Sequence, residues 1–284
     1  MLEEAADGVF VATSRIDVTT STVIVDGTEC VLVDPAWTPA ELSALAAEIA
    51  RRGWAVSAGL ATHAHHDHLL WHPGFGTGPR WGSAGTVQMI REHYADLLGA
   101  LDNGSDNGSG DGPGDGPAAV ADGEHSRVPA WYRELFARVA PVPGDNLPEP
   151  FGTSSGRLAD RQSEPMELIV HDGHAPGHTA LWLPHRRVLV AGDMLSDLEL
   201  PLPLDPDDVP AYLHALDVLE PYVHRAEVLI PGHGTPTTDP AARLAADYAY
   251  FDDVRTGRPS ADPRVDRPGM AAVDRRVRGL AEPH

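Results

Sequence analysis

Seven consecutive residues, Thr62-His63-Ala64-His65-His66-Asp67-His68, gather four imidazoles and a carboxylate into one short stretch. This run constrains the fold more than any other part of the chain, because metal-ligating side chains must converge in space. It follows the apolar, strand-like segment Ala55 to Ala61. If extended geometry carries past Leu60-Ala61, His63 and His65 leave the backbone on the same face and form a two-toothed clamp for one ion. If the chain turns after them, Asp67 and His68 point away from that pair and serve a second ion that prefers nitrogen and oxygen ligands. The bland alternative is a loop of exposed histidines or an artificial tag. The run's place inside the chain, behind an apolar segment and with a carboxylate in it, argues against that alternative.

The remaining sequence can bury such a site. A chain of 284 residues is long enough for a substantial core. We expect one domain over residues 1–256, with a flexible insert at 102–127, a candidate helical lid at 129–139 and a loosely ordered tail at 257–284. Asp102 to Pro117 contains six glycines and four aspartates and has no means of burying apolar surface. Its aspartate spacing does not fit an EF-hand calcium loop. The formal net charge is −21 and the chain has no lysine. So acidic a surface repels phosphate backbones and anionic lipid, which argues against nucleic acid or membrane as the main partner. Cys30, the single cysteine, excludes an intrachain disulfide. The N-terminus is acidic where a secretory signal would be basic, and no apolar run approaches membrane-spanning length, so a cytoplasmic protein is expected.

In chain order, Val9 to Thr13, Thr22 to Val25 and Cys30 to Val33 read as strands, the last two joined by a tight turn at Asp26-Gly27. Thr38-Pro39 opens a helix with Leu42, Leu45, Ala46 and Ile49 on one face and Gly53 as its stop. A second helix is expected from Thr86 to Leu98. A short one over Pro129 to Val139 carries Trp131, Tyr132, Leu135 and Phe136. Strands follow at Met166 to Val170, Ala180 to Leu183 and Arg187 to Val190. The leucines from Leu198 onward alternate with acids and prolines, too proline-rich for a central strand. A helix with Pro210 near its start and Leu213, Leu216, Leu219 and Val223 on one face then leads to a strand at Glu227 to Ile230. A last helix runs from Pro240 to about Val254. Two strand-rich halves, each followed by helices, imply an α/β sandwich: two mixed sheets face to face with helices outside.

His63-x-His65-x-Asp67-His68 resembles the HxHxDH signature of the metallo-β-lactamase-fold superfamily. Four further stretches resemble its other motifs, in the family's order: Val31 to Asp34, Ala175-Pro176-Gly177-His178-Thr179, Val190 to Asp193 and Ile230 to Gly234. The resemblance implies an αββα sandwich and two divalent metal ions, zinc first, with iron or manganese as alternatives. It assigns His63, His65 and His178 to the first ion, Asp67, His68 and His233 to the second, and Asp193 as the bridge. Asp34 would orient a ligand imidazole by accepting its other N–H. A hydroxide held between the ions would attack the carbonyl of a small ester, thioester, lactone or lactam. Asp67 is the candidate catalytic acid/base. Trp71, Trp131, Tyr132, His174, Ser196 and Leu198 are the candidate substrate contacts.

The 40 positions between Asp193 and His233 leave no room for the extra domain of the superfamily's nucleases. His65 stands where its flavo-diiron branch carries glutamate. Ser196 replaces the tyrosine of quorum-quenching lactonases, and the short lysine-free tail departs from glyoxalase II. Those last two branches remain as loose relatives. A mononuclear iron persulfide dioxygenase is the alternative reading, and a non-catalytic metal-binding protein the remote one.

Overall fold

The structure is a computed structural model that describes residues 1–103, 128–144, 147, 165–203 and 207–281. Strands β1 (Glu3–Ala6), β2 (Val9–Thr13), β3 (Thr20–Asp26) and β4 (Glu29–Val33) form an antiparallel meander. Asp26 pairs with Glu29 across the expected tight turn, where Gly27 takes φ 62°, a conformation glycine adopts without strain. Helix α1 (Pro39–Arg51) starts as the sequence indicates. The Thr38 hydroxyl caps the Glu41 N–H while the Glu41 carboxylate reaches back to the Thr38 N–H. Its buried face is Leu42, Leu45, Ala46 and Ile49.

Strand β5 (Ala55–Leu60) then lies parallel to β4. β6 (Arg80–Gly82) follows, then helix α2 (Ala84–Asn103), the five-residue helix α3 (Ala130–Glu134) and β7 (Ala140–Pro141). These strands complete a seven-stranded sheet in order β1 to β7. The second sheet contains β8 (Glu167–His171), β9 (His178–Leu183), β10 (Val188–Gly192) and β11 (Val228–Pro231), in the order β11-β10-β9-β8. Helix α4 (Val209–Val223) connects β10 to β11, and α5 (Pro240–Arg255) and α6 (Met270–Ala281) follow.

Three apolar layers hold these parts together. Alternate residues of the two sheets meet in the middle: Val9, Val11, Val31, Val33 and Leu60 face Leu181, Leu183, Val188, Val190 and Ile230. The intervening Cys30 and Leu32 pack outward against α1 and α2, and Trp182, Leu189 and Leu229 against α4, α5 and α6. Strands buried on both faces read as continuous apolar runs, which is why VLV and VLI carry no alternation. This is the αββα sandwich that the sequence implies. Among the described residues, no helix is long and apolar enough to cross a membrane.

Three expectations need correction or fall outside the description. Most of the expected insert at 102–127 lies outside the described residues, and Asp102 and Asn103 are the last turn of α2, which runs longer at both ends than 86–98. The segment 129–139 is helical only over α3, and Tyr132 and Phe136 are core residues, the Tyr132 hydroxyl donating to Trp37 O at 2.8 Å. Over its described residues, 257–281, the expected loose tail is ordered: α6 buries Met270, Val273 and Val277 against α4 and α5. Its three apolar positions are spaced i, i+3, i+7, a narrow stripe lost among arginines, and the sequence reading missed it.

Just before α6, Arg264 is buried and pairs with the buried Asp247 of α5 at 2.7 Å and with Asp262 at 2.7 Å. It also donates to Ser196 O and Glu199 O, so the C-terminal segment braces the loop after β10. Removing one member of a buried pair strands the other charge. Arg264→Ala should therefore lower unfolding free energy by about 3–5 kcal/mol in a denaturant titration, against a near-neutral result for the exposed Arg255→Ala.

Candidate metal centre

The candidate ligands all leave the ends of strands on one edge of the sandwich. β4 ends at Asp34, whose φ of 46° turns its carboxylate toward the end of β5. There it accepts the Thr62 N–H at 2.8 Å and the Thr62 hydroxyl at 2.6 Å. Having donated to Asp34, the Thr62 Oγ1 accepts from His63 Nδ1 at 2.9 Å, which leaves the His63 Nε2 lone pair directed into the site. The chain does turn after His65, through a 3-10 turn at His66–His68. His68 Nδ1 comes to 3.0 Å from Asp34 Oδ2, so its Nε2 also faces inward. Asp34 thus lies behind the His68 imidazole. His233, just past β11, is fixed the same way by the Asp17 carbonyl, 2.8 Å from Nδ1.

Two clusters result. His63, His65, His174 and Asp193 form one, and Asp67, His68 and His233 the other, with the potential ligand atoms of each within 4.8 Å of one another. Asp193 joins them. Its Oδ2 is 3.4 Å from His63 Nε2 and 3.5 Å from His174 Nε2, and its two oxygens lie 3.3 Å from His68 Nε2 and from His233 Nε2. Asp67 Oδ2 is 3.2 Å from both His68 Nε2 and His233 Nε2. Gly232 has to be glycine, since a Cβ there would collide with Asp193 Oδ1.

The third histidine of the first cluster is not the one the motif suggested. His178, the first residue of β9, has Nε2 occupied by the Asp193 N–H at 3.0 Å and Nδ1 3.3 Å from His171 Nε2. His174, four residues earlier, takes its place, its Nε2 lying 3.1 Å from His65 Nδ1. Both histidines sit in the stretch Gly173-His174-Ala175-Pro176-Gly177-His178, and letter matching selected the second. His178 has both ring nitrogens turned to Asp193 N and His171, whereas His174, in the turn before β9, reaches His65 and Asp193. The turn is pinned at Gly177, whose carbonyl accepts from Ser83 and Thr86 hydroxyls.

The candidate substrate contacts fare differently. Trp71 lies in the core beneath Arg80, 4.8 Å from its guanidinium, and donates to Gly76 O. Tyr132 is core, and Trp131 packs edge-on against His72. Ser196 is a loop brace: its hydroxyl donates to His233 O at 2.7 Å and accepts the Leu198 and Glu199 N–H groups. Leu198 is half-buried. Core packing and a backbone brace have no periodic signature that separates them from a pocket wall.

Burial drives the His63 and His174 imidazoles down, His174 to about 3, so both are neutral, as ligands must be. Burial also opposes protonation of His68 and His233. It is outweighed for His68 by Asp193, Asp67 and Asp34, and for His233 by Glu199 and Asp193, and both are raised. Asp67 and Asp193 are pushed up by burial and pulled down further by His68 and His233, remaining ionised well below the ordinary range. The residues fit divalent ions: His63 Nε2 and Asp193 Oδ1 are buried without a hydrogen-bond partner, and imidazole with carboxylate is a nitrogen–oxygen donor set.

Comparisons with known proteins identify the family and the fold. The family model described as the metallo-beta-lactamase superfamily matches residues 15–233, and the chain belongs to that superfamily. Among solved structures it resembles the stereoselective inverting sec-alkylsulfatase Pisa1 from Pseudomonas sp. (TM-score 0.65, 18% identity, covering 99% of this chain and 49% of that one). It also resembles a beta-lactamase domain protein from Burkholderia ambifaria (TM-score 0.59, 19% identity, 99% and 87% covered). A metallo-beta-lactamase family protein from Thermus thermophilus is similar as well (TM-score 0.57, 22% identity, 89% and 82% covered). The chain spans about half the length of the alkylsulfatase. A search of curated proteins finds no match.

Because Asp34 meets His68 directly and His63 only through Thr62, Asp34→Asn should weaken binding at the second cluster by roughly 10–100-fold and at the first by less. A zinc titration with a competing chelator measures both binding steps.

Proposed function

We propose that the protein is a metal-dependent hydrolase of a small ester, thioester, lactone or lactam, with one divalent ion, zinc in the first instance, in each cluster. The observation that carries this reading is the pair of adjacent ligand clusters sharing Asp193. Two such ions supply a nucleophile from water at neutral pH and polarise the carbonyl oxygen under attack. The chain's own residues do the rest. Asp193 keeps both clusters at a fixed separation. Asp34, Thr62 and the Asp17 carbonyl hold three imidazoles with Nε2 inward. Asp67, ionised and 3.4 Å from the Thr19 hydroxyl, is the group placed to take a proton and return it to the leaving group.

The persulfide dioxygenase reading needs a single ion and leaves the Asp67, His68 and His233 cluster without a purpose. The fold likeness to an alkylsulfatase adds sulfate esters to the substrates worth testing. The test is a screen over acyl-thioesters, lactones, β-lactams and sulfate esters, with oxygen uptake recorded in parallel. Hydrolysis without oxygen consumption is expected, abolished by chelation and restored by added zinc. His68→Ala should remove most of the rate while the first ion stays bound. Stoichiometric oxygen uptake by an iron-loaded protein, or full activity in His68→Ala, would overturn the reading.

A further inference from the structure

His178 is fully buried and lies outside the ligand clusters, yet it touches the one residue that joins them. We propose that His178 is a positioning residue: its Nε2 accepts the backbone N–H of Asp193 and so fixes where the bridging carboxylate stands. This rests on the two-ion reading above.

The geometry calls for an acceptor at this point. The Asp193 N–H is 3.0 Å from His178 Nε2, and a buried N–H left unpaired is costly, so this position needs an acceptor. The ring reaches the backbone only because residue 192 is glycine. Gly192 takes φ 56°, and a Cβ there would sit 2.5 Å from His178 Nε2 and 3.2 Å from Thr62 Cβ. The glycine before the bridging aspartate thus opens the slot that the imidazole fills. On its other side the ring lies 5.0 Å, centroid to centroid, from the ring of His63, so one side chain supports a first-cluster ligand and the bridge together.

The proton on His178 follows from its partners. A backbone N–H can only donate, so Nε2 is bare and the ring's proton is on Nδ1, which faces His171 Nε2 at 3.3 Å. His171 Nδ1 has its own backbone donor, Gly173 N at 3.2 Å. The tautomer of His178 is thus set by the Asp193 N–H, the shortest of the three contacts.

The experiment has two arms. Long-range ¹H–¹⁵N correlation spectra of the histidine rings, with and without metal, read the tautomer directly. The Nδ1–H form of His178 is expected in both, and an Nε2–H form overturns the proposal even if the protein proves to bind no metal. In the second arm, cobalt is titrated into wild type, His178→Leu and His178→Gln, with circular dichroism as a folding control. His178→Leu should lose at least tenfold in affinity at both ions together and change the cobalt absorption spectrum. His178→Gln, whose amide oxygen can accept the same N–H, should recover most of both. Should the leucine variant not fold, a wild-type spectrum in the glutamine variant remains the required result. Wild-type affinity and spectrum in His178→Leu contradicts the proposal. So does loss of the first ion alone, which would make His178 a ligand.

Discussion

The structure depends on what a carboxylate needs when it is buried. Asp193 is only 7% exposed, and an ionised carboxylate at such depth is tolerated only where positive charge or strong donors surround it. The His68 and His233 rings face it at 3.3 Å on one side, and the Asp193 N–H is itself anchored by His178 on the other. The imidazoles have the opposite requirement, each needing an acceptor at one ring nitrogen so that the other points inward. Thr62 and the Asp17 carbonyl are those acceptors for His63 and His233, the Asp34 carboxylate faces His68 Nδ1 at 3.0 Å, and the three come from the ends of β5 and β4 and the β2–β3 connection. The site is therefore built from the ends of both sheets, and the sandwich positions it.

This dependence explains why strand ends matter more than the middle of the fold. The inter-sheet layer of valine, leucine and isoleucine fixes the sheets relative to each other, and any shift there displaces Asp34, Thr62, Asp193 and His233 together. The C-terminal segment contributes at one remove. Arg264 ties the Ser196 and Glu199 carbonyls to α5, and Ser196 in turn braces His233 through its carbonyl. A helix that carries no ligand thereby helps to hold a loop that adjoins the second cluster.

Much of the architecture was legible in the sequence because it rests on local chemistry. The Asp26-Gly27 turn, the Thr38 cap and the buried face of α1 are written in short-range patterns, and they appear as read. So does the turn after His65, since consecutive residues dictate its course, whereas the approach of Asp34 to Thr62 and His68 joins segments far apart in the chain. The choice between His174 and His178 was not legible, because four residues of turn separate two equivalent side chains and only the start of β9 distinguishes them. Trp71, Tyr132 and Ser196 were misplaced for a related reason: whether an aromatic faces a core or a pocket, or a hydroxyl faces backbone or substrate, is decided by long-range packing. The α6 stripe was hidden by the arginines around it, although three buried aliphatic side chains suffice to dock a helix.

The most direct test of the account is a crystal structure of the zinc-loaded protein with anomalous data at the zinc edge. The account predicts two peaks about 3.5–4 Å apart, one within reach of His63, His65, His174 and Asp193 and the other of Asp67, His68 and His233, with His178 Nε2 still on the Asp193 N–H. A single peak, or a peak coordinated by His178 in place of His174, would contradict it.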